Sequence, residues 1–530
     1  MSSSLVPTTD SLHSIYSEEA LPCQLKRWKA LLAQFKSLYG DSPSFVSRSP
    51  GRVNIIGEHI DYSLYGVLPM AITADVLLAV STTNSTAFED SYEVKLCNIQ
   101  PENFPSRVFK IQNETVEIDP SLHEWSNYFK SGLKGAIDFL RKKYGNHIKP
   151  KSMKILMDGS LPVGGGLSSS AAFVSASALA VLFANGETSI DKTTLTELAI
   201  ISERAVGVNT GGMDQSASVF SIRGSALHVS FVPVLNTEVV KFPKTNPELN
   251  FLIAQSFVQS DKHVTGPVCY NLRVVECSMA AAYLYATLCD KEENKPFSPD
   301  SSPLAISLRS FHEIYFSKSL LSFKDQLSEL VDLTKSILKE EEGYTREEIA
   351  RVLGCSILEL NNRFMLKFPV RAERFMLRQR AIHVFSEARR VLDFLSLLEI
   401  QKGIDGDSAT STEDFNQKLG NLMNLTQDSC RENYECSCPE IDDICKIARK
   451  AGAYGSRLTG AGWGGCTVHL VPKNKLEDVK TALEENYYTK QKKRKDAVVI
   501  SKPGSGSAVY VVGSGFAKDL KKFSQRSRLE

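Results

Sequence analysis

The stretch "LPVGGGLSSSAAF" (residues 161–173) sets three glycines and three serines directly before a run of small residues. With "MKILMDGS" ahead of it and "VSASALAVLFA" behind it, the order reads strand, loop, helix. The start of a helix carries unpaired backbone N–H groups and a partial positive charge. Gly164, Gly165 and Gly166 let the backbone come close to a bulky anion, and Ser168, Ser169 and Ser170, after Leu167, add hydroxyls at the same end. That combination is a phosphate cradle. It is not the G-x-x-x-x-G-K-[ST] loop, because the lysine is missing, and it breaks G-x-G-x-x-G, because Ser169 stands at the third glycine. A capped helix after a loose turn uses the same residue types, so the phosphate reading depends on what else the chain supplies.

Three further constellations supply it. Arg52, Glu58, His59 and Asp61 fall within "GRVNIIGEHIDY" (51–62), grouped around Gly57 beside strand-like apolar residues. Surface charge, or for His59 a satisfied structural role, accounts for any one of them alone. Together they suit a polyhydroxyl ligand, since buried polar groups left unmatched are costly. In "SERAVGVNTGGMDQSASVF" (202–220), Glu203 lies on a helix and Asp214 follows Gly211 and Gly212. The glycine pair lets Asp214 approach a substrate and accept a hydroxyl proton as that hydroxyl attacks phosphorus, while Glu203 is suited to hold Mg²⁺. The plainer alternative for Asp214 is the N-cap of the next helix. Last, "SRLTGAGWGGCTVHL" (456–470) leads Gly460, Gly462, Gly464 and Gly465 into a strand. Such a loop lies over phosphates or makes a tight hairpin, and its spacing alone does not choose.

These residues lie far apart in the chain, so a large scaffold has to bring them together. With 530 residues, two or three domains are expected. Helices are predicted over 21–40 (Leu25, Trp28, Leu31, Leu32 and Phe35 at helical spacing), 127–144, 168–186 and 192–206, and from 271 through "NLRVVECSMAAAYLYATL". Helices dominate 320–400, where "RAIHVFSEARRVLDFLSLLEI" is the clearest amphipathic stretch. "FVSRSPGRVNIIGEHIDYSLYGVLPMAI" reads as strand, turn, strand, with Pro50 and Gly51 marking the turn. "DVLLAVSTT", "ALHVSFVPV", "NFLIAQSFV", 464–471 and 507–513 read as strands. Residues 1–20 are polar and expected to fray. The charged, proline-rich 290–303 reads as a surface insertion.

Composition narrows the function classes. Lys plus Arg total 62 against 61 for Asp plus Glu, so a net charge of +1 gives no global attraction to nucleic acid or an anionic membrane. The basic "TKQKKRKDA" (489–497) reads as a solvated loop. No secretory pattern opens the sequence and no apolar run approaches a membrane span. The eleven cysteines are therefore expected as thiols in a reducing, cytoplasmic compartment. Cys430, Cys436, Cys438 and Cys445 cluster without the C-x-x-C pairs of a zinc knuckle.

In order along the chain, "SPGRVNIIGEHIDY", "PVGGGLSSSAA", "GGMDQ" and "SRLTGAGWGGCTVHL" resemble the signatures of the GHMP small-molecule kinases, and of the galactokinase family in particular. "WSNYFK", "YNLRVVE", "YECSCPEID" and "SKPG" extend the resemblance toward the longer eukaryotic members, over roughly residues 20–512. It implies an α+β fold of two domains, mixed sheets flanked by helices, with the active site in the cleft between them. The domains would be 21–245 and 246–512, after a flexible 1–20 and before a tail at 513–530. It also implies ATP, Mg²⁺ and transfer of the γ-phosphate to the C1 hydroxyl of galactose, the first committed step of galactose catabolism.

By the same resemblance, Arg52 would activate the attacking site or stabilise the transferring phosphate, and Asp214 would be the base or orienting carboxylate. Glu58, His59 and Asp61 would bind sugar hydroxyls, helped by Gly211 and Tyr270. Gly164 to Ser170 would hold the triphosphate, Ser169 or Ser170 with Glu203 would face Mg²⁺, and Trp125 would flank the adenine. Two alternatives share these motifs: an N-acetylgalactosamine kinase, and a galactose- and ATP-responsive sensor that grips a transcriptional repressor. The complete "GLSSSAA" with Arg52 and Asp214 favours catalysis.

Overall fold

The computed structural model describes residues 4–83, 91–112, 116–119, 122, 124–145, 148–162, 164–204, 206, 211–259, 266–289, 297–402, 411–491, 497–513, 515–516 and 518–519. Most of the predicted insertion's first half (290–296), the centre of the basic run (492–496) and the end of the tail (520–530) lie outside them. Among the described residues, no helix is long and apolar enough to cross a membrane.

Among the described residues, thirteen strands form three sheets. The largest holds β1 (Thr8–Thr9), β2 (Phe45–Ile56), β3 (Leu68–Thr83), β4 (Ser91–Asn98), β5 (Arg107–Gln112), β6 (Ser152–Gly159) and β13 (Ala508–Val511) in the order β1-β13-β2-β3-β6-β4-β5. It is mixed: β1 with β13 and β4 with β6 run parallel, and the other pairs antiparallel. A two-stranded ribbon joins β7 (Ser225–Ser230) to β8 (Asn236–Lys241). The third sheet has β9 (Leu249–Gln255), β10 (Gly455–Thr459), β11 (Cys466–Pro472) and β12 (Val498–Ser501), antiparallel in the order β10-β11-β9-β12. Both of its faces are covered. Phe251 and Ile253 of β9 join the main core, and Leu252 and Ala254, pointing the other way, join a smaller one.

Against the large sheet pack α1 (Leu21–Tyr39), α3 (Ser169–Ala184) and α5 (Met213–Phe220), while α2 (Ser126–Tyr144) and α4 (Lys192–Arg204) pack on α3 and on each other. Helix α3 is apolar all round and almost wholly buried, as a helix at the centre of a core must be. Its small residues permit that: a Cβ on Gly132 of α2 would sit 2.8 Å from Ser177 Cβ and 2.8 Å from the Val174 carbonyl. Helix α6 (Tyr270–Leu288) and the helices Leu308–Tyr315, Phe323–Ile337, Arg346–Leu353, Ile357–Phe364 and Leu377–Lys402 follow, then Glu413–Glu432 and Pro439–Lys450.

Three expectations are corrected. Pro50 and Gly51 make no turn; β2 runs unbroken through them, with a register shift against β3 between Pro50↔Asp75 and Arg52↔Ala71. Strand β13 pairs only with Phe45–Arg48, so Pro50, which has no N–H to donate, costs the sheet little. The reversal falls at 57–67 instead, before β3 begins at Leu68. Nor is the segment 8–16 loose. Thr8 and Thr9 pair with Val509 and Tyr510, and Leu12, Ile15 and Tyr16 are buried against α1. Finally, residues 508–511, expected within a domain spanning 246–512, return as β13 to the first sheet and fill the place between β1 and β2.

Candidate active site

Strand β2 delivers Arg52 to the meeting point of the first three motifs. A side chain on Gly51 would collide with Leu161 and with the Leu167 carbonyl, so glycine there lets the glycine–serine loop lie on the strand. The Arg52 N–H then donates to that carbonyl at 3.2 Å. The Arg52 guanidinium donates through Nε to Asp214 Oδ1 at 2.7 Å and through Nη1 to the Gly166 carbonyl at 2.7 Å. Ser168 Oγ donates to Asp214 Oδ2 at 2.6 Å. Asp214 lies in the first turn of α5, where an anion suits the helix dipole, and Gly212, not Asp214, is the N-cap. Arg52 and Asp214 are both buried. Burial works against the Arg52 charge, but Asp214 and Glu58 outweigh it and raise its pKa.

The start of α3 carries no side-chain cap, and its N-cap Ser168 has a left-handed φ of 60°. No capping side chain meets its first N–H groups, which begin beside the half-buried Ser169 and Ser170. Gly164 and Gly166 are left-handed, at φ 69° and 73°. The fourth motif settles as a hairpin, with Thr459 paired to Cys466. Its loop packs against the glycine–serine loop backbone to backbone. A Cβ on Gly166 would sit 2.8 Å from the Thr459 carbonyl, one on Gly465 would sit 3.1 Å from Gly165, and one on Gly460 would overlap the Gly166 carbonyl. These glycines answer a close approach between two loops.

The loop after β2 holds the proposed sugar residues. Asp61 is buried with its pKa raised to about 6, by burial first and then by the charge of Asp214. Gly211 lies against it: a Cβ there would be 2.6 Å from Asp61 Oδ2 and from the Tyr62 N. His59 bonds Tyr62 OH through Nδ1 at 3.0 Å and the Ala461 carbonyl through Nε2 at 3.1 Å, so Nε2 carries the hydrogen. Tyr270, at the start of α6, places its ring 5.8 Å from His59 and 5.6 Å from Tyr62. Burial, then Asp61 and Asp214, push its hydroxyl pKa up, so it stays a neutral donor among carboxylates. Glu58 has a different setting. Its carboxylate accepts from Arg457 Nη2 and from the Gly460 N–H at 3.1 Å, and burial raises its pKa despite Arg457.

Glu203 is fully buried on α4 and accepts from the amide of Gln215, the neighbour of Asp214. Trp125 stacks on Phe173 of α3 at 6.0 Å and 11°, and its Nε1 donates to the Pro105 carbonyl at 3.1 Å. It thus stands one turn along α3 from the serines. The motifs leave out His383 and Glu387, which hold the 57–58 turn from the C-terminal half together with Arg457, a residue of the fourth motif whose part in this the motif does not show. The first two had one signal: a histidine and a glutamate four residues apart on the buried stripe of an amphipathic helix, beside Val384, Ala388 and Val391.

A galactokinase galactose-binding signature matches residues 33–82, and the GHMP kinases N terminal and C terminal domains match 127–221 and 412–489. Sheet, buried helix and matched segments together define a GHMP kinase. The galactokinase of Saccharomyces cerevisiae is 41% identical, over 93% of this chain and 97% of its own. That of Schizosaccharomyces pombe is 39% identical, over 95% and 98%. The fold is shared with the crystal structure of Lactococcus lactis galactokinase complexed with galactose, with a TM-score of 0.64 and 22% identity over 91% of this chain and 99% of that one. The chain belongs to the galactokinase family.

Proposed function

We propose that the chain transfers the γ-phosphate of ATP to the C1 hydroxyl of galactose, giving galactose 1-phosphate and ADP. The observation that carries this is the Arg52–Asp214–Ser168 cluster, which joins the uncapped tip of α3 to the Asp61 loop. Phosphoryl transfer has a loose, anionic transition state, so positioning and charge stabilisation do most of the work. The N–H groups of α3 and of the 164–170 loop bind phosphate oxygens, and Trp125 flanks the adenine. Arg52 offsets charge on the transferring group and holds the Asp214 carboxylate in place beside it. Asp61, His59, Gly211 and Tyr270 define the sugar pocket, while Glu58, tied to Arg457 and Gly460, shapes its wall. Asp214 orients the C1 hydroxyl and accepts its proton.

Mg²⁺ fits the donors at the phosphate end. Ser169, Ser170 and Glu203 offer only oxygens, on α3 and on α4, which packs against it. When bound there with ATP, the ion supplies charge neutralisation on the phosphates. With its eleven cysteines as thiols, the enzyme is assigned to the cytoplasm.

The test is a coupled assay of ADP release with galactose, N-acetylgalactosamine, glucose and mevalonate side by side. Turnover with galactose at least about ten-fold above each of the others, by kcat/KM, is the expected result. Preference for another acceptor, or none, contradicts the assignment.

A further inference from the structure

The turn that presents His59 and Asp61 is conformationally expensive. Gly57 has φ 101° and His59, which is not a glycine, has φ 60°. A non-glycine residue in that region persists only where its surroundings over-determine it. Here the surroundings are a helix from the other half of the chain. Glu387 Oε1 accepts the Gly57 N–H at 2.7 Å and the Glu58 N–H at 3.1 Å. One turn earlier on the same helix, His383 Nε2 donates to the Glu58 carbonyl at 3.0 Å. The contact leaves no slack, since a Cβ on Gly57 would sit 3.1 Å from Val391 Cγ2, one turn further along.

The clamp is itself fixed. Glu387 Oε2 accepts from Arg390 Nε at 2.7 Å and from Thr426 Oγ1 at 2.8 Å, and His383 Nδ1 bonds Ser429 Oγ at 2.9 Å. Both side chains are fully buried. Burial opposes the Glu387 charge, but its neighbours, the Arg390 guanidinium first, outweigh it and hold its pKa down to about 2. Burial first, joined by the charge of Arg390, lowers the His383 pKa to about 3 against the pull of Glu387, which keeps the ring neutral.

We infer that Glu387, with His383, is a positioning residue for sugar recognition: it receives the two N–H groups of the 57–58 turn and so sets where His59 and Asp61 stand relative to Asp214. This rests on the reading of that turn as part of the sugar pocket. The glycine–serine loop has other supports, the 460–465 hairpin and Arg52. Loss of the clamp therefore acts on galactose and not on ATP.

The experiment compares steady-state kinetics of Glu387→Gln, Thr426→Val and Asp61→Asn with the parent enzyme, with folding checked by circular dichroism. Glu387→Gln keeps the shape but turns one acceptor into a donor. Its galactose KM rises about ten-fold or more while its ATP KM stays within about two-fold. Thr426→Val removes the bond to the outer oxygen, along with the hydroxyl's local contact to the Leu422 carbonyl at 3.1 Å, and gives the same split at about two- to three-fold. A folded Glu387→Gln enzyme whose two KM values are unchanged, or rise together, overturns the inference. Should that variant fail to fold, Thr426→Val decides by the same split. A galactose KM unchanged in Asp61→Asn overturns the sugar-pocket reading and this inference with it. A raised value there beside an unmoved one in Glu387→Gln overturns the clamp alone.

Discussion

Two buried arginine–aspartate clusters in this molecule look alike and behave oppositely. Under the N-terminus, Asp75 accepts from Arg27 Nη1 at 2.5 Å, Arg48 Nε at 2.7 Å and Tyr16 OH at 2.7 Å. Burial alone would raise its pKa, but the two arginines win and lower it. In the active site, Asp214 has Arg52 and Ser168, and Asp61 stands close enough to Asp214 for the two charges to repel. There burial and the neighbouring carboxylate win, and the Asp61 pKa climbs to about 6. The first cluster is charge-matched and holds the N-terminal segment, α1, β2 and β3 together. The second concentrates carboxylates beside a helix tip that carries no cap, an arrangement that makes sense around a polyhydroxyl donor and a polyanion.

Substitutions that exchange the two roles test this contrast. Asp214→Ala has the largest expected effect: kcat falls by about 10²-fold or more, the size of a lost general base. Nucleotide affinity by calorimetry stays within a few-fold, and a near-normal kcat would remove Asp214 from the chemistry. Asp75→Asn does the reverse. It leaves buried Arg48 without its carboxylate and lowers the unfolding free energy by about 3–5 kcal/mol in a urea titration, with kcat little changed. The pH dependence has a definite sign. Asp75 has a depressed folded pKa, so its contribution stands above about pH 4 and is lost as the pH falls through that lowered value.

Asp61 gives the third test. Its folded pKa is about 6, so it is protonated below that pH and ionised above it. The kcat/KM for galactose is expected to rise with pH through about 6 and level off, and Asp61→Asn flattens that limb. A limb that persists unchanged in the variant assigns it to another group. The smallest effect is expected at Trp125, whose ring already stacks on Phe173. Trp125→Leu raises the ATP KM by about three- to ten-fold, the loss of one aromatic contact, with the galactose KM unmoved.

Much of the site was legible in the sequence because its chemistry needs residue types that cluster. Glycines before serines, a polar group around Gly57 and paired glycines before Asp214 are local patterns, and the fold brings all three to Arg52. What was not legible depends on partners distant in the chain. Pro50 and Gly51 carry every local mark of a turn, yet the strand continues because β13, arriving from residue 508, stops pairing at Arg48. The polar first twenty residues read as frayed because the strand that orders them lies at the opposite end of the sequence. His383 and Glu387 sit in a helix whose periodicity announces burial but not what it is buried against. The hairpin at 456–470 was open between two roles, since only the backbone contact with Gly166 shows that it braces the loop.

The most direct measurement is a crystal structure with galactose and a non-hydrolysable ATP analogue bound together. The C1 hydroxyl should lie within hydrogen-bond distance of the Asp214 carboxylate, with the terminal phosphate between Arg52 and the first N–H groups of α3. Galactose and nucleotide bound with that hydroxyl remote from Asp214, or with the phosphates away from Ser168–Ser170, would contradict the account.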